Sequence, residues 1–190
     1  MNQKFYDAVS MNPVIAAVKN ESGLYKCIEN TDIAVVFVLY GSVATICTLV
    51  EQLKQADKTV IVHMDLVTGL SARPEAVDFI AQYTKADGVI STRIEQIRRA
   101  KELSLYTVYR IFAIDSKVLD NVAGNRAICE YADFVEILPG LMPKVIRMMC
   151  RHLTVPVITG GLISEKEDVI AALNAGAAAI SATNQDVWGM

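Results

Sequence analysis

Eight short apolar runs, each separated from the next by a stretch of helical periodicity, constrain this chain more than any other feature of its sequence. The runs are PVIAAV (13–18), IAVVFVL (33–39), TVIVHM (59–64), GVIS (88–91), TVYRIF (107–112), FVEIL (134–138), PVIT (156–159) and AAISA (178–182). Between them lie segments such as ATICTLVEQLKQA, EAVDFIAQYTKA, IEQIRRAKEL, PKVIRMMCRHL and EKEDVIAALNAG, whose apolar residues recur at helical spacing. Strict alternation of strand and helix implies parallel strands, because each crossover helix must pack back on the sheet with one hand. Eight such units predict a (β/α)8 TIM-type barrel, with a doubly wound open sheet as the alternative.

Several runs are apolar on both faces, as strands enclosed by a shell of helices require. After the eighth run only TNQDVWGM remains, too short for a full outer helix. The expectation is a compact barrel, one domain over residues 1–190, whose eighth outer helix is missing or very short. The exposed flank would then be covered by a partner subunit in a homo-oligomer or by residues 3–10.

Composition excludes several classes. Although 53% of the residues are hydrophobic, no run of about 18 uncharged apolar residues occurs, so no transmembrane helix is expected. The opening MNQKFYDAVSMN lacks the basic-then-apolar order of a signal peptide, which points to a cytoplasmic protein. Cys27, Cys47, Cys129 and Cys150 are scattered over helical segments without CxxC spacing and read as free buried thiols. His63 and His152 have no neighbouring ligand at i+3 or i+4, so no metal site is expected.

In a barrel of this kind the chemistry gathers where the strands end, in the loops that lead into the helices. Strand seven ends in TGG and strand eight in SATN, the two places from which barrels commonly build a phosphate seat. Gly160 and Gly161 would let the backbone approach an oxyanion, and Ser181 and Thr183 would offer hydroxyl and amide donors. Lys19 and Arg110 would balance the charge of a phosphate dianion. His63, Asp65 and Glu136 could hydrogen-bond the hydroxyl groups of a small polyol. His63 and Asp65 also admit two other readings: a general base with its orienting carboxylate, or a satisfied polar layer at the barrel top.

Five strings together resemble the glycerol uptake operon antiterminator family: HMDLVTGL (63–70), VISTRIEQIRRAK (89–101), YRIFAIDSKVL (109–119), FVEILPGLMPKVI (134–146) and TGGLISEKEDVIAALNAGAAAIS (159–181), followed by Trp188. The resemblance implies a regulator rather than an enzyme. It would be a barrel that senses glycerol 3-phosphate and binds the leader mRNA of glycerol-utilisation operons, preventing termination or stabilising the transcript, with no further cofactor. His63 and Asp65, Arg93 in STR, Arg110 in YRIF, Glu136 in VEILPG and the pair Gly160 and Gly161 match the family pattern. LYGSVATI, SATNQ and Thr159 depart from it. The residues by themselves leave open an enzyme acting on a phosphorylated polyol, or a metabolite-binding module with a protein partner.

The net charge is −3, and no recognised RNA-binding module is visible, so RNA enters through the resemblance alone. Charge is nonetheless uneven. Residues 93–152 carry 10 Lys and Arg against 7 Asp and Glu, while residues 1–92 carry 7 against 10 and residues 153–190 carry 1 against 4. Arg93, Arg98, Arg99 and Lys101 lie on or beside one predicted helix. Lys144, Arg147 and Arg151 share one face of another, at i, i+3 and i+7. Both sets are candidate contacts to RNA phosphates, and both are also what the solvated face of an outer helix requires.

Overall fold

Valine and isoleucine dominate the strand runs, and their branched side chains suit a pleated surface packed on both faces. In the computed structural model, which describes residues 4–189, eight strands form a closed parallel barrel in sequence order. They are β1 (Val14–Val18), β2 (Val35–Val38), β3 (Thr59–His63), β4 (Gly88–Ser91), β5 (Tyr106–Phe112), β6 (Phe134–Leu138), β7 (Val157–Gly160) and β8 (Ala179–Ala182). The doubly wound alternative is thereby excluded, since β8 pairs with β1 and leaves no edge. The helices are α1 (Lys4–Met11), α2 (Glu21–Glu29), α3 (Ile46–Gln55), α4 (Ala76–Tyr83), α5 (Ile94–Glu102), α6 (Ser116–Gly124), α7 (Arg126–Tyr131), α8 (Pro143–His152) and α9 (Lys166–Asn174).

Alternation along each strand divides the core in two. Inward-facing Ile15, Phe37, Ile61, Ile90, Val108 and Phe134 fill the barrel. Outward-facing residues such as Val36, Val60 and Val89 meet the helices. Two aspartates pin the entrances of neighbouring strands. Asp87 accepts from Val60 N at 2.8 Å and from Lys54, and Asp133 accepts from Thr107 N at 3.0 Å and from Lys101.

The C-terminal end meets the sequence expectation of a missing or very short eighth outer helix, and the N-terminal end departs from it. Helix α1 does not cover the flank left by the missing outer helix. It buries Phe5 and Val9 in the barrel interior at the N-terminal end of the strands, where Phe5 meets the rings of Tyr106 and Phe134. The flank is closed instead by a short 3-10 turn, Gln185–Gly189, which buries Val187 and Trp188. The Trp188 indole donates to Ala182 O at 2.8 Å, so the turn is tied to the end of β8. Of the four thiols, all free, only Cys27 is fully buried; the other three are half-buried. No helix among the described residues is long and apolar enough to cross a membrane.

Candidate functional site

The period-two rule decides which strand-end residues meet. At the next inward position, two residues beyond the apolar interior, the layer becomes polar: His63 on β3, Arg110 on β5, Glu136 on β6 and Ser181 on β8, with Gly160 on β7. All five are buried, Arg110 with 7% of its surface exposed and Glu136 with none. Arg110 is the register partner of Glu136, and Gly160 that of Ser181.

Glu136 is the hub of this layer. One carboxylate oxygen accepts from Arg110 Nε at 2.5 Å and the other from the Ser181 hydroxyl at 2.6 Å. Among the described residues the terminal nitrogens of Arg110 make no hydrogen bond, so they remain available to a ligand.

Gly160 has a role that the doubled glycine did not reveal. A Cβ there would lie 2.2 Å from Ser181 Oγ and 3.1 Å from Glu136 Oε1. Gly160 therefore leaves room for the Ser181–Glu136 hydrogen bond. Gly161 is the residue in the turn proper, with φ +73°, and Leu162 follows it with φ +64°. A left-handed leucine costs about 1–2 kcal/mol, and backbone strain of this kind clusters at functional sites. Leu162 is 72% exposed and borders the mouth, and a leucine after two glycines carries no sequence signal of that role.

His63 stands apart in the layer. Its Nδ1 is buried without a hydrogen-bond partner, 3.8 Å from Asp65 Oδ2. Burial, and next the positive charge of Arg110, lower its pKa to about 3, so the ring is neutral at physiological pH. Asp65 is not free to orient it as a general base would require. After His63 the chain enters a 3-10 turn, Met64–Leu66, and the Asp65 carboxylate accepts from Thr92 N at 2.8 Å, from the Ser91 and Thr92 hydroxyls, and from Arg93. Asp65 and Arg93 thus join the ends of β3 and β4 at the rim.

Lys19 and Thr183 are exposed on the same rim, one position beyond β1 and β8. With Arg110 paired to Glu136 and Arg93 to Asp65, Lys19 is a mouth cation without an ion pair among the described residues. Arg110, Gly161, Leu162, Ser181 and Thr183 surround a mouth cavity of about 80 Å³. A wider groove, about 1020 Å³, lies at the flank between α1 and the Trp188 turn. It has no converging set of buried polar groups, so the mouth is the better candidate. No cluster of metal-ligating residues occurs among the described residues.

The basic residues divide sharply. Arg93 faces Asp65 at the rim rather than the outer surface of α5. On α5, Arg98 pairs with Glu95 and Glu102, Arg99 with Asp78 and Glu102, and Lys101 with Asp133. On α8, Lys144, Arg147 and Arg151 are exposed and make no ion pair among the described residues.

The chain is similar to known proteins over most of its length. The family model for the glycerol-3-phosphate responsive antiterminator matches residues 14–188. The crystal structure of a glycerol uptake operon antiterminator regulatory protein from Listeria monocytogenes superimposes with a TM-score of 0.88 at 33% identity, covering 94% of this chain and 95% of that one. A related antiterminator-like protein from Thermotoga maritima gives a TM-score of 0.81 at 31% identity, covering 95% and 99%. YgcP, an uncharacterised protein of Escherichia coli K12, is 37% identical over 177 residues, 93% of this chain and 92% of its own length. The length of these matches, end to end along one closed barrel, places the chain in the glycerol-3-phosphate responsive antiterminator family.

Proposed function

We propose that this chain binds glycerol 3-phosphate at the C-terminal mouth of the barrel and, in response, acts on the leader mRNA of glycerol-utilisation operons to prevent termination or stabilise the transcript. The observation that carries the effector site is the inward polar layer, in which Arg110 is held by Glu136 with its terminal nitrogens free and His63 Nδ1 has no partner. Lys19, Thr183 and the backbone at Gly161 take the phosphate in this reading. His63 and the terminal nitrogens of Arg110 take hydroxyl groups. Glu136, Ser181 and Asp65 act as positioning residues through Arg110 and Arg93, and Gly160 gives them room.

The mouth cavity, about 80 Å³, is small beside the roughly 300 Å³ and more of pockets for drug-sized ligands. In this reading the Gly161–Leu162 turn, which lines that cavity, is the element that yields as the effector enters. Leu162 holds a left-handed φ in that turn, backbone strain of the kind that clusters at switch regions. A ligand-driven switch requires differential affinity for two states, and two positions of this turn would supply it.

The test is a titration of leader RNA with and without glycerol 3-phosphate at two salt concentrations. Affinity should rise with the effector and fall with salt. Effector binding with no change in RNA affinity would refute the reading, and turnover of the phosphate ester in the same mixture would favour an enzyme.

A further inference from the structure

Outer helices of a barrel carry charge for solubility, and that charge is ordinarily balanced by neighbours of opposite sign. Helix α5 follows this pattern. Arg98, Arg99 and Lys101 each lie within 4.0 Å of a carboxylate, on α5 itself, on α4 or just before β6. Any polyanion docking there would have to displace these carboxylates.

Helix α8 breaks the pattern. Its ten residues, PKVIRMMCRH, include no acid. Ile146 and Met149 face the core, and the opposite side presents Lys144, Arg147 and Arg151 to solvent with no ion pair among the described residues. Helix stability does not account for the set. Lys144 sits in the first turn, where the helix dipole disfavours a cation, whereas α2, α4, α5 and α9 each carry an acid in that turn. From Lys144 to Arg151 the stripe spans about 10 Å at ~1.5 Å per residue, which matches roughly three nucleotides of a stacked strand. Met148, 36% exposed, lies four residues after Lys144 and three before Arg151 on the helix surface and offers an apolar contact to a base.

The stripe is also joined to the mouth. Gly140, in the loop that leads into α8, donates its N–H to Gly161 O at 3.1 Å, and Leu138 lies against Gly161 on the other side. A displacement of the Gly161 turn therefore reaches the start of α8 through one loop.

We infer that the outer face of α8, formed by Lys144, Arg147 and Arg151, is the surface that contacts RNA phosphates, and that α5 is not. The inference rests on the function proposed above and narrows it to one face. Two double variants that remove the same charge decide it, R147Q/R151Q on α8 and R98Q/R99Q on α5. Both are titrated with a glycerol-operon leader transcript over a range of salt, and both are melted with and without glycerol 3-phosphate to verify the fold.

The α8 pair should weaken RNA binding at least about tenfold at low salt and reduce the slope of log affinity against log salt by about 1.4, the value for two lost contacts to a single strand. The α5 pair should lose less than about threefold. Equal losses in the two variants, or a larger loss for α5, would overturn the assignment. If the unmodified protein binds no leader RNA at all, the proposed function fails and the surface falls with it. If it binds and the α8 pair binds as well, the surface alone is wrong.

Discussion

The two ends of the barrel interior are built from the same strands and differ in nearly everything else. On β5 the inward positions run Tyr106, Val108, Arg110, and on β6 Phe134, Glu136, Leu138. At the N-terminal end the Phe5 ring packs against Tyr106 at 5.3 Å and Phe134 at 4.5 Å, centroid to centroid, and seals the floor. At the C-terminal end a buried ion pair, an unpartnered imidazole nitrogen and two left-handed residues occupy the equivalent level. One end is built from interactions that need only bulk and shape. The other holds groups whose burial is costly unless something in the mouth answers them.

The contrast is broken most directly by one variant at each end. Truncating Phe5, which is fully buried, to alanine should cost about 3–5 kcal/mol, lowering Tm by roughly 10 °C while leaving the stabilisation by glycerol 3-phosphate intact. Glu136→Ala should cost a similar 3–5 kcal/mol by stranding Arg110 in the interior, and here the effector response should disappear as well. Thermal melts with and without effector separate the two outcomes. Loss of the response in Phe5→Ala, or its survival in Glu136→Ala, would collapse the distinction between floor and mouth.

Acid sharpens the same comparison. Burial, with the Arg110 charge beside it, holds the His63 pKa down to about 3 in the folded chain, against about 6.5 for a free imidazole, so below pH 6.5 the unfolded chain binds a proton that the folded chain refuses. Its contribution to stability is complete above pH 6.5 and is lost as the pH falls toward 3, reaching about 2 kcal/mol by pH 5. Denaturant unfolding of the native protein and of His63→Gln at pH 7 and pH 5 should show the variant losing less on acidification by that amount. Parallel losses would mean that the imidazole is not held neutral.

The smallest effect on stability is expected at the turn. Gly161→Val places a branched side chain at φ +73° with its Cβ 3.2 Å from Leu138, for a cost of about 1–2 kcal/mol. Thermal stabilisation by glycerol 3-phosphate should nevertheless vanish. An undiminished shift would remove Gly161 from the effector site.

The sequence made the barrel legible because its signals are local. Each apolar run lies within two residues of a strand, and the four residues GVIS and the five residues FVEIL coincide with β4 and β6. Residues such as His63, Arg110 and Glu136 could be placed at the mouth because strand ends are visible in a run of valines and isoleucines. What those residues do to one another was not visible. Asp65 is separated by 28 positions from Arg93, and Lys101 by 32 from Asp133, so only the closed barrel reveals that these cations are already paired. Phe5 escaped for a related reason. The amphipathic pattern of KFYDAVSM marks a helix with one apolar face, and nothing local distinguishes a floor from a flank.

The short turn that closes the barrel has an optical consequence. Trp188 is the sole tryptophan of the chain, 3% exposed, and its indole nitrogen is bound to the backbone at Ala182, one residue after Ser181 and one before Thr183. Any rearrangement of the last strand end alters the polarity and hydrogen bonding felt by that one fluorophore. The molecule thus carries one intrinsic emission probe tied to the end of its last strand, and under the proposed function its emission should change when glycerol 3-phosphate is added to the unlabelled protein.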